Sequence, residues 1–261
     1  MRILLTNDDG INAPGLKVLE RIARKLTSDV WVVAPEQEQS GAAHSLTLHV
    51  PVRVRKITAR RHAVSGTPTD CVLLALQQII PARKPQGREA PLKKVDLVLS
   101  GVNRGSNVGD DISYSGTVAA AMEATLLGVP AIALSQALDD DQPICWDTAS
   151  AFAQTLIPEL LRAGWPAGSF INLNFPACTK AAVKGVTVSP QGKRVMSVAL
   201  HLRSDPRGRP YFWIGGDRDN AANGPEVDVA KLEEGFVTVT PVQMDMTDYP
   251  TLNRLKGKLK A

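Results

Sequence analysis

Met1 to Gly10 reads MRILLTNDDG. The run from Arg2 to Leu5 contains no turn former and is apolar after its first residue; Thr6-Asn7-Asp8-Asp9-Gly10 then breaks it sharply. A short apolar run bounded by turn residues reads as a buried strand of a parallel sheet. Ligands of open α/β sheets gather beyond the carboxyl ends of strands, so Asp8 and Asp9 are expected at the mouth of a crevice. Like charges so close raise each other's pKa unless a cation or a cluster of donors neutralises them. Gly10 lets the backbone turn both carboxylates toward one point. Two readings follow: a divalent-cation site, or an acidic turn capping the next helix, since aspartate is a good N-cap. On these ten residues the capping reading is slightly ahead, and the rest of the chain reverses the order.

Beyond Gly10 the pattern alternates. Leu16, Leu19, Ile22, Ala23 and Leu26 recur at helical spacing behind Pro14, and Asp29 to Pro35 is a second strand. Val95 to Ser100 is a strand, Gly116 to Leu127 a small-residue helix stopped by Gly128, and Val129 to Ser135 another strand. Trp146 to Ala163 reads as a helix with a kink at Pro158, and Phe170 to Phe175 as a further strand. This alternation predicts an α/β fold, a Rossmann-like and mostly parallel sheet flanked by helices, over residues 1–182. From about Val183 helices become sparse. Val195 to Leu202 and Tyr211 to Ile214 flank the turn-rich Arg203 to Pro210 and read as a β-hairpin. A short helical segment near Asp228 to Leu232 precedes a late strand, Gly235 to Pro241. Residues 183–261 are therefore expected to form a β-rich arm and tail that does not extend the core and serves oligomerisation.

Composition excludes several classes. With 261 residues, 44% of them apolar, the chain can bury a sizeable core and is not of a disordered type. No apolar stretch has the length of a membrane span and no signal peptide is evident, so a cytoplasmic protein is expected. The net charge of +4 suits an anionic ligand without demanding one, and the basic runs lack the interleaved aromatics of a nucleic-acid platform. One of these runs, Arg83 to Lys94, reads as a mobile surface loop. Cys71, Cys145 and Cys178 are odd in number and form no CxxC, which argues against a disulfide framework and a zinc site. Cys71 opens an apolar helical run and reads as a core thiol.

Three loops follow strand ends and are rich in oxygen ligands or small residues: Asn7 to Gly10, Glu36 to Thr47 (EQEQSGAAHSLT), and Gly101 to Asp111 (GVNRGSNVGDD) leading into Ser113 to Thr117. Carboxylate, hydroxyl and amide oxygens are hard ligands that suit Mg²⁺, Mn²⁺ or Ca²⁺. Glycines let backbone N–H groups approach an anion, and Gly116-Thr117 opens a helix whose N-terminus favours negative charge. Cation ligands facing N–H donors is the arrangement a phosphoryl group needs. Neither GxxxxGK[ST] nor GxGxxG is present, so the known nucleotide loops are excluded.

The segments MRILLTNDDG, PEQEQSGAAHSLT, SGTPTDCV, DLVLSGVNRGSNVGDDISYSGTVAAAMEA, NLNFP and GFVTVTP resemble, in order, the motifs of the SurE family of stationary-phase survival phosphatases. The similarity runs from Met1 to about Tyr249. It implies a metal-dependent 5′/3′-nucleotidase with a Rossmann-like core, acting on nucleoside monophosphates and in some members on polyphosphate. The family's metal ligands fall on Asp8, Asp9, Ser40 and Asn103, with one divalent ion, Mg²⁺ or Mn²⁺; Asp8, Asp9 and Asn103 are the residues expected to carry catalysis. The resemblance also implies a homodimer or homotetramer; neither a membrane nor a nucleic-acid duplex is expected as a partner. Val227-Asp228 and Gly235-Phe236 stand where family members often carry Thr-Asp and Gly-Tyr.

Beside those ligands, Gly41, Gly105, Ser106 and Thr117 are candidates for binding phosphate oxygens, or only shape turns. Asn7 either bonds the phosphate or holds its own turn. His44 is the histidine of these loops and so a candidate general acid, although a histidine in a serine-rich loop is more often structural. Tyr114 either lines the nucleoside pocket or supports its loop. Asp110 and Asp111 read as residues behind the ligands or at the start of the helix. The expected reaction is in-line attack of a metal-activated water on phosphorus; an aspartyl-phosphate route lacks its DxDx[TV] pattern. A nucleotide-binding sensor on the same fold is the alternative.

Overall fold

The computed structural model describes residues 1–80, 94–139, 141–196, 199–215, 218–220 and 224–259. The basic stretch Arg83 to Lys94 lies outside them apart from Lys94. Strand β1 (Arg2–Thr6) is the strand from which the sheet is built outward. Ile3, Leu4 and Leu5 are fully buried, Ile3 and Leu5 in one apolar cluster and Leu4 in another. A strand's side chains alternate between faces, so a run apolar at every position demands cover on both sides.

That cover comes from the helices. Leu16, Leu19, Ile22 and Ala23 line the buried stripe of α1 (Pro14–Leu26). β2 (Asp29–Pro35) returns parallel beside β1. The hairpin β3 (Val54–Thr58) and β4 (Arg61–Val64) follows, with β4 parallel to β2. Helix α2 (Pro68–Leu74) starts at a capping box in which Thr67 accepts the Asp70 N–H and Asp70 accepts the Thr67 N–H at 2.9 Å. β5 (Leu97–Arg104) then pairs with the other edge of β1. α3 (Gly116–Leu126), β6 (Ala131–Gln136), α4 (Trp146–Ala163) and β7 (Ser169–Phe175) complete the alternation. α1 and α4 contribute to the cluster around Ile3, α2 and α3 to the cluster around Leu4. Cys71 of α2 is fully buried there, as a core thiol, and burial pushes its pKa up.

After β7 come β8 (Gly185–Val188), β9 (Arg194–Met196), β10 (Ala199–Ser204), β11 (Pro210–Gly215), β12 (Arg218–Asn220), α5 (Asp228–Glu233), β13 (Phe236–Gln243) and α6 (Tyr249–Lys256). Among the described residues the main sheet has nine strands in the order β3-β4-β2-β1-β5-β6-β7-β13-β8. From β4 through β7 neighbours are parallel. The chain leaves β1 toward β2 and β4, then crosses to β5, β6 and β7 on the other side. The strand order therefore reverses between β1 and β5, and the crevice beyond their carboxyl ends is the natural ligand position of such a sheet.

Three expectations are corrected. The strand ending at Ser100 continues to Arg104, through a shift of register against β6 between Ser100 and Asn103. Gly101 makes this possible: its φ is +136°, and a Cβ there would lie 2.3 Å from the Leu134 carbonyl oxygen. Second, the chain after Val183 does extend the core, because β13 pairs antiparallel with β7 and β8 pairs with β13. An antiparallel return needs no crossover helix, so scarcity of helices was no bar, and the edge of β7 gains a partner. Third, the expected strand Val195 to Leu202 is split: β9 pairs with β12, and the hairpin proper is β10 with β11. Among the described residues no helix is long and apolar enough to cross a membrane.

Candidate metal and phosphate site

The loop after β1 turns so tightly that the next segment packs on its backbone. Asn7 is fully buried and its Nδ2 donates to the Gly10 carbonyl at 3.0 Å, so this side chain holds the turn. The Gln39 N–H donates to the Asp8 carbonyl at 2.8 Å, which ties in the loop after β2. Asp8 is buried against the start of α3: Thr117 Oγ1 donates to its Oδ1. Gly116 has to be glycine for this approach, since a Cβ there would lie 2.8 Å from Asp8 Cβ and 3.0 Å from Oδ2. Ser115 caps α3 by accepting the Val118 N–H at 3.1 Å.

Asp9 points to the other loop, accepting the Arg104 N–H at 3.2 Å. Burial raises the Asp8 carboxyl above the ordinary carboxylate range, against the Thr117 hydrogen bond. Burial first, and then the charge of Asp8, push Asp9 up to about 6. Glu38 adds negative charge to both. Among the described residues neither aspartate has an ion-pair partner. A part-buried acidic pair with no ion pair, and with only the more distant Arg104 to offset the charge of Asp9, is held at a cost that a divalent ion would reduce.

The other donors agree with this. Asn103 Nδ2 donates to the Gly105 carbonyl at 2.9 Å, which leaves Oδ1 as the free end of the amide. Ser40 Oγ donates to Glu38 at 2.7 Å and keeps its lone pairs. Asp8, Ser40, Gly41, Asn103, Arg104, Gly105, Ser106, Asn107, Asp111, Tyr114 and Ser115 line one cavity of about 150 Å³. Among the described residues no group of three or more His, Cys, Asp or Glu side chains is placed to hold a metal; the donors on hand are the Asp8 and Asp9 carboxylates, the Ser40 hydroxyl and the Asn103 amide oxygen. That set fits Mg²⁺ or Mn²⁺ and not zinc. A wider groove of about 530 Å³ along α1, with Lys17, Arg21, Arg24 and Trp146, holds no aspartate.

The structure thus gathers Asp8, Ser40, Asn103, Gly41, Gly105, Ser106 and Tyr114 at one cavity, with Asp9 and Thr117 bonded to its walls. It does not bring His44 there: Nε2 lies 3.0 Å from Glu123 of α3, so the ring ties the second loop to the helix. Asn7 supports the turn rather than lining the cavity. Glu38, Arg104, Asn107 and Arg194 escaped sequence reasoning. Arg104 and Asn107 sit inside the glycine-rich loop that was singled out, whereas Arg194 comes from β9 and carried no motif. Asp111, expected behind the ligands, lines the cavity and pairs with Arg194 at 2.9 Å.

A doubly wound α/β protein with carboxylate, hydroxyl and amide oxygens gathered at its switch point, opposite a glycine-rich loop and a helix N-terminus, has the layout of the phosphate-handling class of such folds. The sequence profile described as Survival protein SurE matches residues 3–198. The chain is 51% identical to "5′-nucleotidase SurE" of Paramagnetospirillum magneticum, over 98% of this chain and 95% of that protein. It is 54% identical to "5′-nucleotidase SurE" of Brucella canis, over 99% and 98%. The crystal structure of the SurE protein from Aquifex aeolicus is similar over 99% of both chains, with a TM-score of 0.80 at 35% identity. The chain belongs to the SurE family.

Proposed function

We propose that this protein is a divalent-metal-dependent nucleotidase that releases phosphate from nucleoside monophosphates, the 5′ position being favoured by the names of its relatives. The single observation that carries the metal dependence is the adjacent carboxylates of Asp8, buried, and Asp9, part-buried, which have no ion-pair partner among the described residues, with Asp8 sharing one cavity with Asn103 and Ser40. A divalent ion held by Asp8, Asp9, Ser40 and Asn103 would polarise a phosphate oxygen and lower the pKa of a water beside it.

The remaining work falls to the chain. Gly41 and Ser106 supply backbone N–H groups and the Ser106 hydroxyl to phosphate oxygens, while Gly105, whose own N–H donates to the Gln136 carbonyl at 2.9 Å, shapes the loop; the N-terminus of α3 adds its positive end. Thr117 fixes the Asp8 carboxylate by its hydrogen bond. The cavity, about 150 Å³, is below the ~300 Å³ at the small end of ligand pockets. It therefore seats the phosphoryl group, and the nucleoside extends along the rim past the exposed Tyr114. A contact pattern confined to the phosphoryl end accords with tolerance of several bases, and of polyphosphate.

We also assign association between copies of this chain, as a dimer or tetramer, to the β10–β11 hairpin. Phosphate release from a panel of 5′- and 3′-monophosphates and polyphosphate, with chelator, Mg²⁺ or Mn²⁺, tests the reading beside Asp8→Asn. Metal-dependent release abolished in Asp8→Asn is expected. A folded protein that binds nucleotide and releases no phosphate would be a sensor instead.

A further inference from the structure

Arg194 lies 88 residues from Ser106 in sequence, yet its Nη1 donates to Ser106 Oγ at 3.1 Å. The same nitrogen donates to Asp111 Oδ2 at 2.9 Å. Both acceptors line the cavity that holds Asp8 and Asn103. The guanidinium is largely buried, at 16% side-chain exposure, and Asp111 at 7%. The backbone around it is fastened as well. The Arg194 N–H donates to Asp110 at 2.9 Å, and Gln191 Nε2 donates to the Gly109 carbonyl at 3.0 Å. The buried Asp228 carboxylate accepts N–H groups from Gly109 and Gly192 at 3.1 and 2.7 Å. A Cβ on Gly109 would sit 3.1 Å from the Arg194 nitrogen, so the two segments are in close contact. The C-terminal region therefore places one charged side chain, on a rigid base, at the back of the catalytic loop.

The chemistry of the Ser106 hydroxyl gives this placement a role. A hydroxyl has one hydrogen to donate and lone pairs to accept with, whereas a guanidinium only donates. The bond from Arg194 occupies a lone pair and leaves the hydroxyl hydrogen without an acceptor among the described residues. Ser106 lines the cavity, so that hydrogen is available to an oxygen atom inside it. Asp111 balances the guanidinium charge, which keeps Arg194 on the wall instead of on the anion.

We propose that Arg194 is a positioning residue for phosphate hydrolysis, acting through Ser106: it orients and polarises the hydroxyl that donates to the transferring phosphoryl group. This rests on the phosphohydrolase reading. The test is a double-mutant cycle on the full chain, following kcat and KM for phosphate release from AMP at saturating Mn²⁺. Ser106→Ala and Arg194→Met are each expected to lower kcat/KM about tenfold, the scale of one charge-assisted hydrogen bond, chiefly through kcat. The double variant is expected to be no worse than Ser106→Ala alone, since the proposed action of Arg194 on the phosphoryl group runs through the Ser106 hydroxyl. Multiplicative losses, or an Arg194→Met enzyme as active as the wild type, would overturn the proposal. Arg194→Met removes the ion pair of the buried Asp111 carboxylate and endangers folding. The cycle is therefore repeated in an Asp111→Asn background, where no such charge is left and the same non-additivity is expected. A wild type that releases no phosphate overturns the phosphohydrolase reading and this proposal together; activity in the wild type with no coupling overturns this proposal alone.

Discussion

At Asp9, burial and the charge of Asp8 both disfavour the ionised carboxylate, and together they give a measurable sign. In the folded chain its carboxyl is pushed up to about 6, while the ordinary value is 3.8. Between those limits the folded state holds a proton that the unfolded state has released. The contribution of Asp9 to metal-free stability is therefore greatest below 3.8 and is lost as pH rises through about 6. A cation that binds the charged pair acts in the opposite sense by stabilising only the native state. Thermal unfolding at neutral pH is expected to show a higher midpoint with Mn²⁺ than with chelator, a gap that closes as pH falls below about 6. Asp9→Asn is expected to raise the metal-free midpoint at neutral pH and to lose the response to metal; a retained response excludes Asp9 as a ligand. Gly116→Ala probes the same pair from the other side. Its Cβ meets Asp8 Cβ at 2.8 Å, an overpacking that costs about 1–3 kcal/mol and displaces the carboxylate. Weaker Mn²⁺ binding by titration calorimetry is the expected outcome, by tenfold or so from the lost alignment. The positions of Asp8, Asp9 and Asn103 were legible because their segments end strands at the carboxyl edge of the sheet, where loops meet. The roles of Asn7 and His44 were not, because whether a polar side chain faces a ligand or its own turn is decided by one hydrogen bond that sequence does not encode.

Elements built from local pattern were legible, and those that depend on a distant edge were not. α1 and α4 follow from apolar spacing, and β1, β2 and β7 from apolar runs between turn formers. The pairing of β13 with β7 depends on an edge left open some sixty residues earlier, and nothing in Phe236 to Gln243 specifies its direction. β9 and β10 are separated by two residues yet pair with different strands, which a continuous β-rich run conceals. The start of α2 offers a test of local stability kept apart from the cavity. Thr67 accepts the Asp70 N–H at 3.2 Å and donates its own hydroxyl to the Ser45 carbonyl at 2.8 Å. Thr67→Ala removes a cap worth about 0.5–2 kcal/mol. Chemical denaturation is expected to show that loss with an unchanged denaturant slope, and phosphate release per folded molecule is expected to stay at the wild-type level. A selective fall in kcat would mean that the Ser45 to Thr47 segment reaches the reaction.

At the scale of the whole molecule, a single copy leaves an apolar surface that its own core does not use. In the β10–β11 ribbon Leu200 pairs with Ile214 and Leu202 with Phe212. Directly opposed residues of an antiparallel pair share a face, so these four side chains form one apolar patch. Their exposures are 62%, 76%, 55% and 60%, whereas β1 buries its apolar residues completely. A two-stranded ribbon with an uncovered apolar face is marginal in water and gains stability once another surface covers it. None of the residues lining the Asp8 cavity comes from this ribbon, which accords with the assembly role proposed for it. The ribbon can be removed cleanly: Ala199 pairs with Gly215, so the ends of an excision between them lie side by side and a short turn joins them. Deleting residues 200–214 keeps β9, and with it Arg194 beside Ser106. The expected outcome by light scattering is a fall from a dimeric or tetrameric mass to that of one 28.0 kDa chain less the ribbon. A softer variant, Leu200→Lys with Phe212→Lys, puts charge on the same face and is expected to have the same effect, because burying an unpaired charge at an interface is costly. An assembled mass unchanged in both variants would show that copies associate through another surface, and that the patch has a different partner.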